Sequence, residues 1–362
     1  MNRTCLPVGV LLLLTASSSY AQPADTATTD LTFCAKAGVE ALQKWYAPET
    51  GLWQTTNWWN AANAITALVR YSTLNHSSAL KSVIENTFDR NSAHKFLNKF
   101  YDDEGWWALA WLDAYEWTHD ARYLEVAEQI FADMAAGWDE TCGGGIWWNK
   151  DKRYKNAIAN ELFLSVAARL AGLAREPERR ASYLEWAGRE WKWFAASGMI
   201  NAQNLVNDGL DAACRNNGRT TWSYNQGVVL GGLVSLSTQT ADSSLRDRAQ
   251  SIALAAILHL TDENGILHDR CEPNCGNDAV QFKGIFSRNL AVLYSAIPSP
   301  KVRVFLDANA QSICHVQTAE HQFGVVWSRA ASIANAATQV SALDAIFAAI
   351  QVASTPRPVR IF

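Results

Sequence analysis

The chain has 362 residues and a formal charge of −4, from 31 Lys and Arg against 35 Asp and Glu. Hydrophobic residues make up 49% and charged residues 18%, enough apolar surface for a large core and too little charge for a disordered chain. The slightly acidic balance leaves no basic stripe for phosphates, so no nucleic-acid partner is expected.

Residues 1–21 read as a secretory signal: Arg3, an apolar run from Val8 to Leu14, and small residues leading to cleavage after Ala21. That run is too short to span a bilayer, and the tail (353–362) has no hydrophobic stretch for a lipid anchor. The expectation is a secreted protein, extracellular or associated with a cell wall, without a membrane anchor. Cys5 leaves with the signal. The six that remain are Cys34, Cys142, Cys214, Cys271, Cys275 and Cys314, an even number that favours disulfides in an oxidising compartment, with the pairing open. Cys271, Cys275 and His268 lack a second ligand pair at zinc spacing, so neither a metal nor a cofactor is expected. Asn75-His76-Ser77 is a glycosylation sequon in a polar connector.

After a leader (22–30) the pattern is helical almost throughout, in pairs. The first member of each pair is charged and amphipathic; the second is rich in Ala, Gly and aromatics. The pairs are 31–45 with 57–72, 79–98 with 105–117, 121–136 with 156–173, 177–196 with 222–238, 243–260 with 280–295, and 300–315 with 326–352. Amphipathic helices belong outside and apolar ones inside. Six such pairs closing on themselves make an all-α (α/α)6 barrel, with 31–352 as one domain; an open solenoid is the competing arrangement. In the closed form every inner helix begins at the same rim, so the loops before the inner helices converge on one mouth.

Those loops are rich in indoles, and 16 Trp are more than a core requires. Trp58 and Trp59, Trp106 and Trp107, and Trp147 and Trp148 offer platforms for flat sugar rings. Asp102-Asp103-Glu104 puts three acids between Tyr101 and two tryptophans. Helix capping accounts for one or two of them, but not for acids placed where desolvation is costly. Two close carboxylates in an apolar setting split their titrations, as glycoside hydrolysis requires, and a helix N-terminus helps hold the first one ionised. Adjacent residues reach the short spacing of retaining enzymes more easily than the longer spacing of inverting ones. Asn60, Asn156 and Asn160 suit sugar hydroxyls or, equally, contacts between helices. Asp208, before Gly209, is a turn residue or a groove carboxylate.

The runs Asp102-Asp103-Glu104-Gly105-Trp106-Trp107, Cys142-Gly-Gly-Gly-Ile-Trp147-Trp148 and Lys155-Asn156-Ala-Ile-Ala-Asn160-Glu161 resemble glycoside hydrolase family 76. So do Asn207-Asp208-Gly209-Leu210, Trp222-Ser-Tyr224-Asn225-Gln226-Gly227 and Gln281-Phe-Lys283-Gly284, over roughly residues 31–350. The resemblance implies an (α/α)6 barrel and a retaining endo-α-1,6-mannanase, with Asp102 as nucleophile and Asp103 as acid/base. It adds Tyr224, Gln226 and Lys283 to the expected sugar-binding residues. The implied partner is an α-mannan poly- or oligosaccharide, met by a monomer. A cell-wall transglycosylase and a non-catalytic mannan-binding protein remain open on the same mouth. Ser223 and Ser287 depart from the family pattern, and neither touches the acid pair.

Overall fold

Helices without a polar face must be enclosed, and this chain encloses six of them with six others. The computed structural model describes Met1, residues 24–331 and residues 333–355. Residues 2–21 of the expected secretory segment and 356–362 of the tail lie outside the described residues.

Among the described residues the helices alternate outer and inner: α1 (Ala24–Gln43) with α2 (Trp58–Leu74), α3 (Lys81–Asn91) with α4 (Tyr101–Thr118), and α5 (Ala121–Ala136) with α6 (Ala157–Leu173). Next come α7 (Pro177–Ala196) with α8 (Ser223–Thr240), α9 (Ser243–His259) with α10 (Phe282–Ala296), and α11 (Pro300–His315) with α12 (Ala336–Ser354). Each even-numbered helix packs on the next, and α12 returns to α2, so the inner ring closes. The expected (α/α)6 barrel is the fold observed, and the open solenoid is excluded. By length and composition α12 could cross a bilayer, but it is enclosed among α1, α2, α10 and α11.

Close approach explains the glycines of the inner ring. A Cβ on Gly227 of α8 would lie 2.6 Å from Phe286 Cα of α10, so any larger residue forces those helices apart. A two-residue hairpin, Tyr46–Ala47 with Leu52–Trp53, follows α1. Disulfide Cys34–Cys314 ties α1 to α11 where the outer ring closes; Cys142–Cys214 joins two loops, and Cys271–Cys275 closes a short one.

Four boundaries differ from expectation. Helix α1 begins at Ala24, inside the expected leader. The stretch expected as one helix over 79–98 ends at Asn91; after a 3-10 turn, Lys95 and Phe96 take left-handed conformations. The chain then enters α4 at Tyr101, so the three acids lie inside the first turn of α4 rather than in the loop before it. The last inner helix begins at Ala336 and not near 326, because Asn335 caps it by accepting from Thr338 N (2.9 Å).

Candidate active site

Starting from one rim, the inner helices surround a pocket of ≈ 600 Å³. Its floor is aromatic and drawn from four of them: Trp59 of α2, Trp106 of α4, Tyr224 of α8 and Phe282 of α10. Trp59 stacks on Trp106 at 5.6 Å between centroids, and Tyr224 on Phe282 at 3.7 Å. Trp58 and Trp148 form walls, with Asn156, the N-cap of α6, beside them.

Asp102 and Asp103 reach this pocket from the first turn of α4. Trp148 Nε1 donates to Asp102 Oδ2 (3.0 Å), while Asp102 Oδ1 is buried with no donor among the described residues. Asn98 Nδ2 donates to Asp103 Oδ2 (2.6 Å). Burial raises the pKa of both. Asp103 is pushed up to about 6 by desolvation, against the Asn98 bond and with Asp278 adding repulsion. Asp102 is raised well above the usual carboxylate range by desolvation first and then by Asp103, outweighing the Trp148 bond. Enclosure on an indole floor thus opposes the ionised form of Asp102 that its place at the helix N-terminus favours.

Asp208 lies across the pocket and accepts from Tyr154 Oη (2.7 Å). Its backbone also holds α6, since Ala157 N donates to Asp208 O (2.9 Å), so turn and pocket roles coexist. Asp278, before α10, accepts from Asn57 Nδ2 (2.8 Å) and Trp59 Nε1 (3.1 Å). Asp102, Asp103, Asp208 and Asp278 face a single cation in the lining, Arg219. That charge pattern repels anionic ligands and, over indole and phenyl faces, suits a neutral polyhydroxylated one.

Nine of the expected residues meet in this pocket: Trp58, Trp59, Asp102, Asp103, Trp106, Trp148, Asn156, Asp208 and Tyr224. Six do not. Asn60 is buried and donates to Gln281 Oε1 (2.8 Å). Trp107 is fully enclosed between Trp58, Phe96 and Trp111. Trp147 donates to Asp139 (2.8 Å) and lines a neighbouring depression. Asn160 and Gln226 turn back onto the loops before their own helices, holding the backbones of Ile146 and Val206. Lys283 is buried, bonded to Leu267 O (3.1 Å) and Glu272 (2.6 Å), over the ring of Trp327. Their polarity serves the scaffold, because buried amides and ammonium groups must find partners. Phe100, Arg219 and Asp278 were missed; each arrives from a loop whose sequence has no periodic signal. The sequon residue Asn75 is exposed at the C-terminal end of α2, away from the mouth.

Paired carboxylates over an aromatic floor, at the mouth of a helical barrel, define the class of protein as a glycosidase. The comparisons with known proteins agree. The model of "Glycosyl hydrolase family 76" matches residues 28–360, and the chain belongs to that family. It is 29% identical to mannan endo-1,6-alpha-mannosidase DFG5 of Candida albicans, over 84% of this chain and 75% of that one. With mannan endo-1,6-alpha-mannosidase DCW1 of the same organism the identity is 30%, over 67% and 59% of the two chains. Among solved structures it resembles the GH76A α-1,6-mannanase of a Salegentibacter species, in an inactive variant bound to α-1,6-mannotriose, with a TM-score of 0.78 at 24% identity over 89% of this chain and 99% of that one. Dfg5 from Chaetomium thermophilum, in complex with glucosamine, gives 0.77 at 22% identity over 92% of both. At such identities the likeness is one of fold.

Proposed function

We propose that this chain is a secreted, endo-acting α-1,6-mannosidase that hydrolyses internal bonds of mannan with retention. Residues 31–352 act as one catalytic domain in a monomer, residues 1–21 direct export, and Asn75 is glycosylated. Disulfides fit an oxidising compartment. The names of the fungal relatives support the substrate class, as does the mannotriose-bound relative, a variant inactivated at two adjacent aspartates.

The carrying observation is the arrangement of the adjacent pair. Both carboxyls line the pocket, Asp102 with Oδ2 held by the Trp148 indole and Asp103 with Oδ2 held by the Asn98 amide. The Asp102 carboxylate is the nucleophile that forms the glycosyl–enzyme bond, and Asp103 gives its proton to the leaving oxygen. The reactive form carries one proton, on Asp103. Positive charge developing at the anomeric carbon favours the Asp102 anion and offsets the burial that opposes it. Asp103 then takes a proton from water as the intermediate is cleaved.

Linear α-1,6-mannan digested with the purified protein is expected to yield oligosaccharides by internal cleavage. Proton NMR at early times should show the α anomer as the first product. Binding without cleavage would overturn the enzymatic reading, and products longer than the substrate would identify a transglycosylase instead.

A further inference from the structure

Four of the six inner helices share a device at their fourth residue. Asn160 in α6, Gln226 in α8 and Gln339 in α12 each accept from a backbone N–H of the preceding loop: Ile146 at 2.7 Å, Val206 at 2.7 Å and Phe323 at 2.9 Å. Each also donates its amide N–H to a loop carbonyl, of Ile146 (3.0 Å), Val206 (2.8 Å) and His321 (3.0 Å). An amide suits this place because it both accepts and donates.

In α4 the fourth residue is Glu104, which follows the catalytic pair and is fully buried. It keeps half of the device: Asn98 N donates to Glu104 Oε1 at 2.9 Å. What it adds is an ion pair, for Lys150 Nζ lies 2.9 Å from the same oxygen and 2.8 Å from Asp133 Oδ2. Burial of Glu104 is the larger influence on its proton, raising its pKa to about 8 against the Lys150 bond.

The two loops joined at that oxygen are those that supply donors to the pair. Asn98 donates to Asp103, and its own Oδ1 is fixed by Phe100 N (2.7 Å), which turns Nδ2 toward the carboxylate. Lys150 stands two residues after Trp148, whose indole donates to Asp102; the same loop is tied to α4 by Tyr101 N to Trp148 O (2.9 Å). An amide at 104 could hold the first loop but would be a weaker acceptor for the Lys150 ammonium that anchors the second.

We propose that Glu104, with Lys150 and Asp133, is a positioning clamp that holds Asn98 and Trp148 in register on the two catalytic aspartates. This rests on the reading of Asp102 and Asp103 as the catalytic pair. Tyr101 also faces the clamp, with Lys150 over its ring. Asp278, Asp208, Arg219, Tyr154 and Tyr224 face the pair from the other elements around the pocket.

The test uses Glu104→Gln, Lys150→Met and Lys150→Arg in the full-length protein, reading kcat, KM and the pH profile on α-1,6-mannan, with Tm alongside. Loosening the donors removes hydrogen bonds that favour the ionised aspartates, so the limbs of the profile should move to higher pH. Glu104→Gln and Lys150→Met are each expected to move at least one limb by half a pH unit or more. They should lower kcat about tenfold with KM within about twofold, and the double variant should be no worse than either single one. Lys150→Arg, which keeps the ion pair, should restore the profile of the parent. A lower Tm with a superimposable profile overturns the clamp, as does a profile that Lys150→Arg fails to restore. Activity surviving in Asp102→Asn and Asp103→Asn overturns the catalytic reading itself, so the two failures are separable.

Discussion

The two ends of the barrel are built from the same helices and both match their dipoles, yet they treat charge in opposite ways. At the mouth, where helix N-termini favour anions, Asp102 and Asp103 sit side by side with no cation paired to either among the described residues. At the base, where C-termini favour cations, Arg70 of α2, Arg169 of α6 and Arg288 of α10 line a cavity of ≈ 500 Å³. There each cation meets an acid: Arg169 with Asp113 (2.7 Å) and Glu116 (2.9 Å), Arg288 with Asp344 (2.9 Å), and Arg70 with the same Asp344 (3.8 Å). A paired cluster holds helices together. An unpaired one is kept at a cost to stability and belongs to the chemistry.

The contrast is broken most severely at the pair. Asp102→Asn and Asp103→Asn are each expected to lower kcat on α-1,6-mannan by at least about a thousandfold, with Tm unchanged or raised, because a buried carboxylate without a partner is replaced by a neutral amide. Asp103→Asn should retain cleavage of mannosides with good leaving groups, which need little protonation, and Asp102→Asn should not. At the base the result should invert. Asp344→Ala leaves Arg70 and Arg288 buried without an acid, which costs about 3–5 kcal/mol and lowers Tm by roughly 4–8 °C. Kinetics of the folded fraction should stay within about threefold, although Arg288 lies under the Trp106 ring at 5.6 Å.

Asp208 lies between these extremes, bonded through its side chain to Tyr154 and through its backbone to α6. Asp208→Ala keeps the backbone bond, so kcat/KM should fall by about ten- to a thousandfold, on the order of 1.4–4 kcal/mol, with little change in Tm. Lost Tm with normal kinetics would make it a turn residue only. The mildest test is pH. With both aspartates raised by burial, the pair at low pH carries two protons and is inactive. The rate should rise as the coupled pair loses its first proton, near pH 6, and fall again at higher pH as the second proton leaves. A kcat/KM profile already flat at pH 5 would place the pair outside the enclosed setting described here.

The order of the rings and the acids at the mouth were legible in the sequence; the arginine cluster at the base was not. Charged first members and Ala- and Gly-rich second members gave the order of rings, and five of the six inner helices begin within four residues of expectation. The acid run among indoles pointed to the pair. What failed is informative. Asn60 and Asn160 were expected to face a sugar or, equally, another helix, and the family resemblance added Gln226 and Lys283, but periodicity does not say whether a first-turn side chain points to the axis or folds back on its own loop. Burial decides that: a loop packed under the rim has backbone groups to satisfy, and the nearest amide is recruited. Trp107 was lost because, one position on from Trp106, α4 turns it onto Phe96 and Trp111, whereas Trp58 and Trp59 at the start of α2 both reach the pocket.

The sequence by itself determined the helix pairs, the convergence of their loops and the acids carried there, because these follow from local propensity and from hydrophobic patterning along one chain. Only the tertiary structure decided which rings form the floor, that Asp278 and Arg219 join Asp102 across more than a hundred residues, and that Glu104 grips two loops at once. Those outcomes depend on ring closure and on the desolvation it imposes. Closure brings distant loops within hydrogen-bond reach, and enclosure raises the proton affinity of Asp102 beyond what its position at a helix N-terminus would suggest.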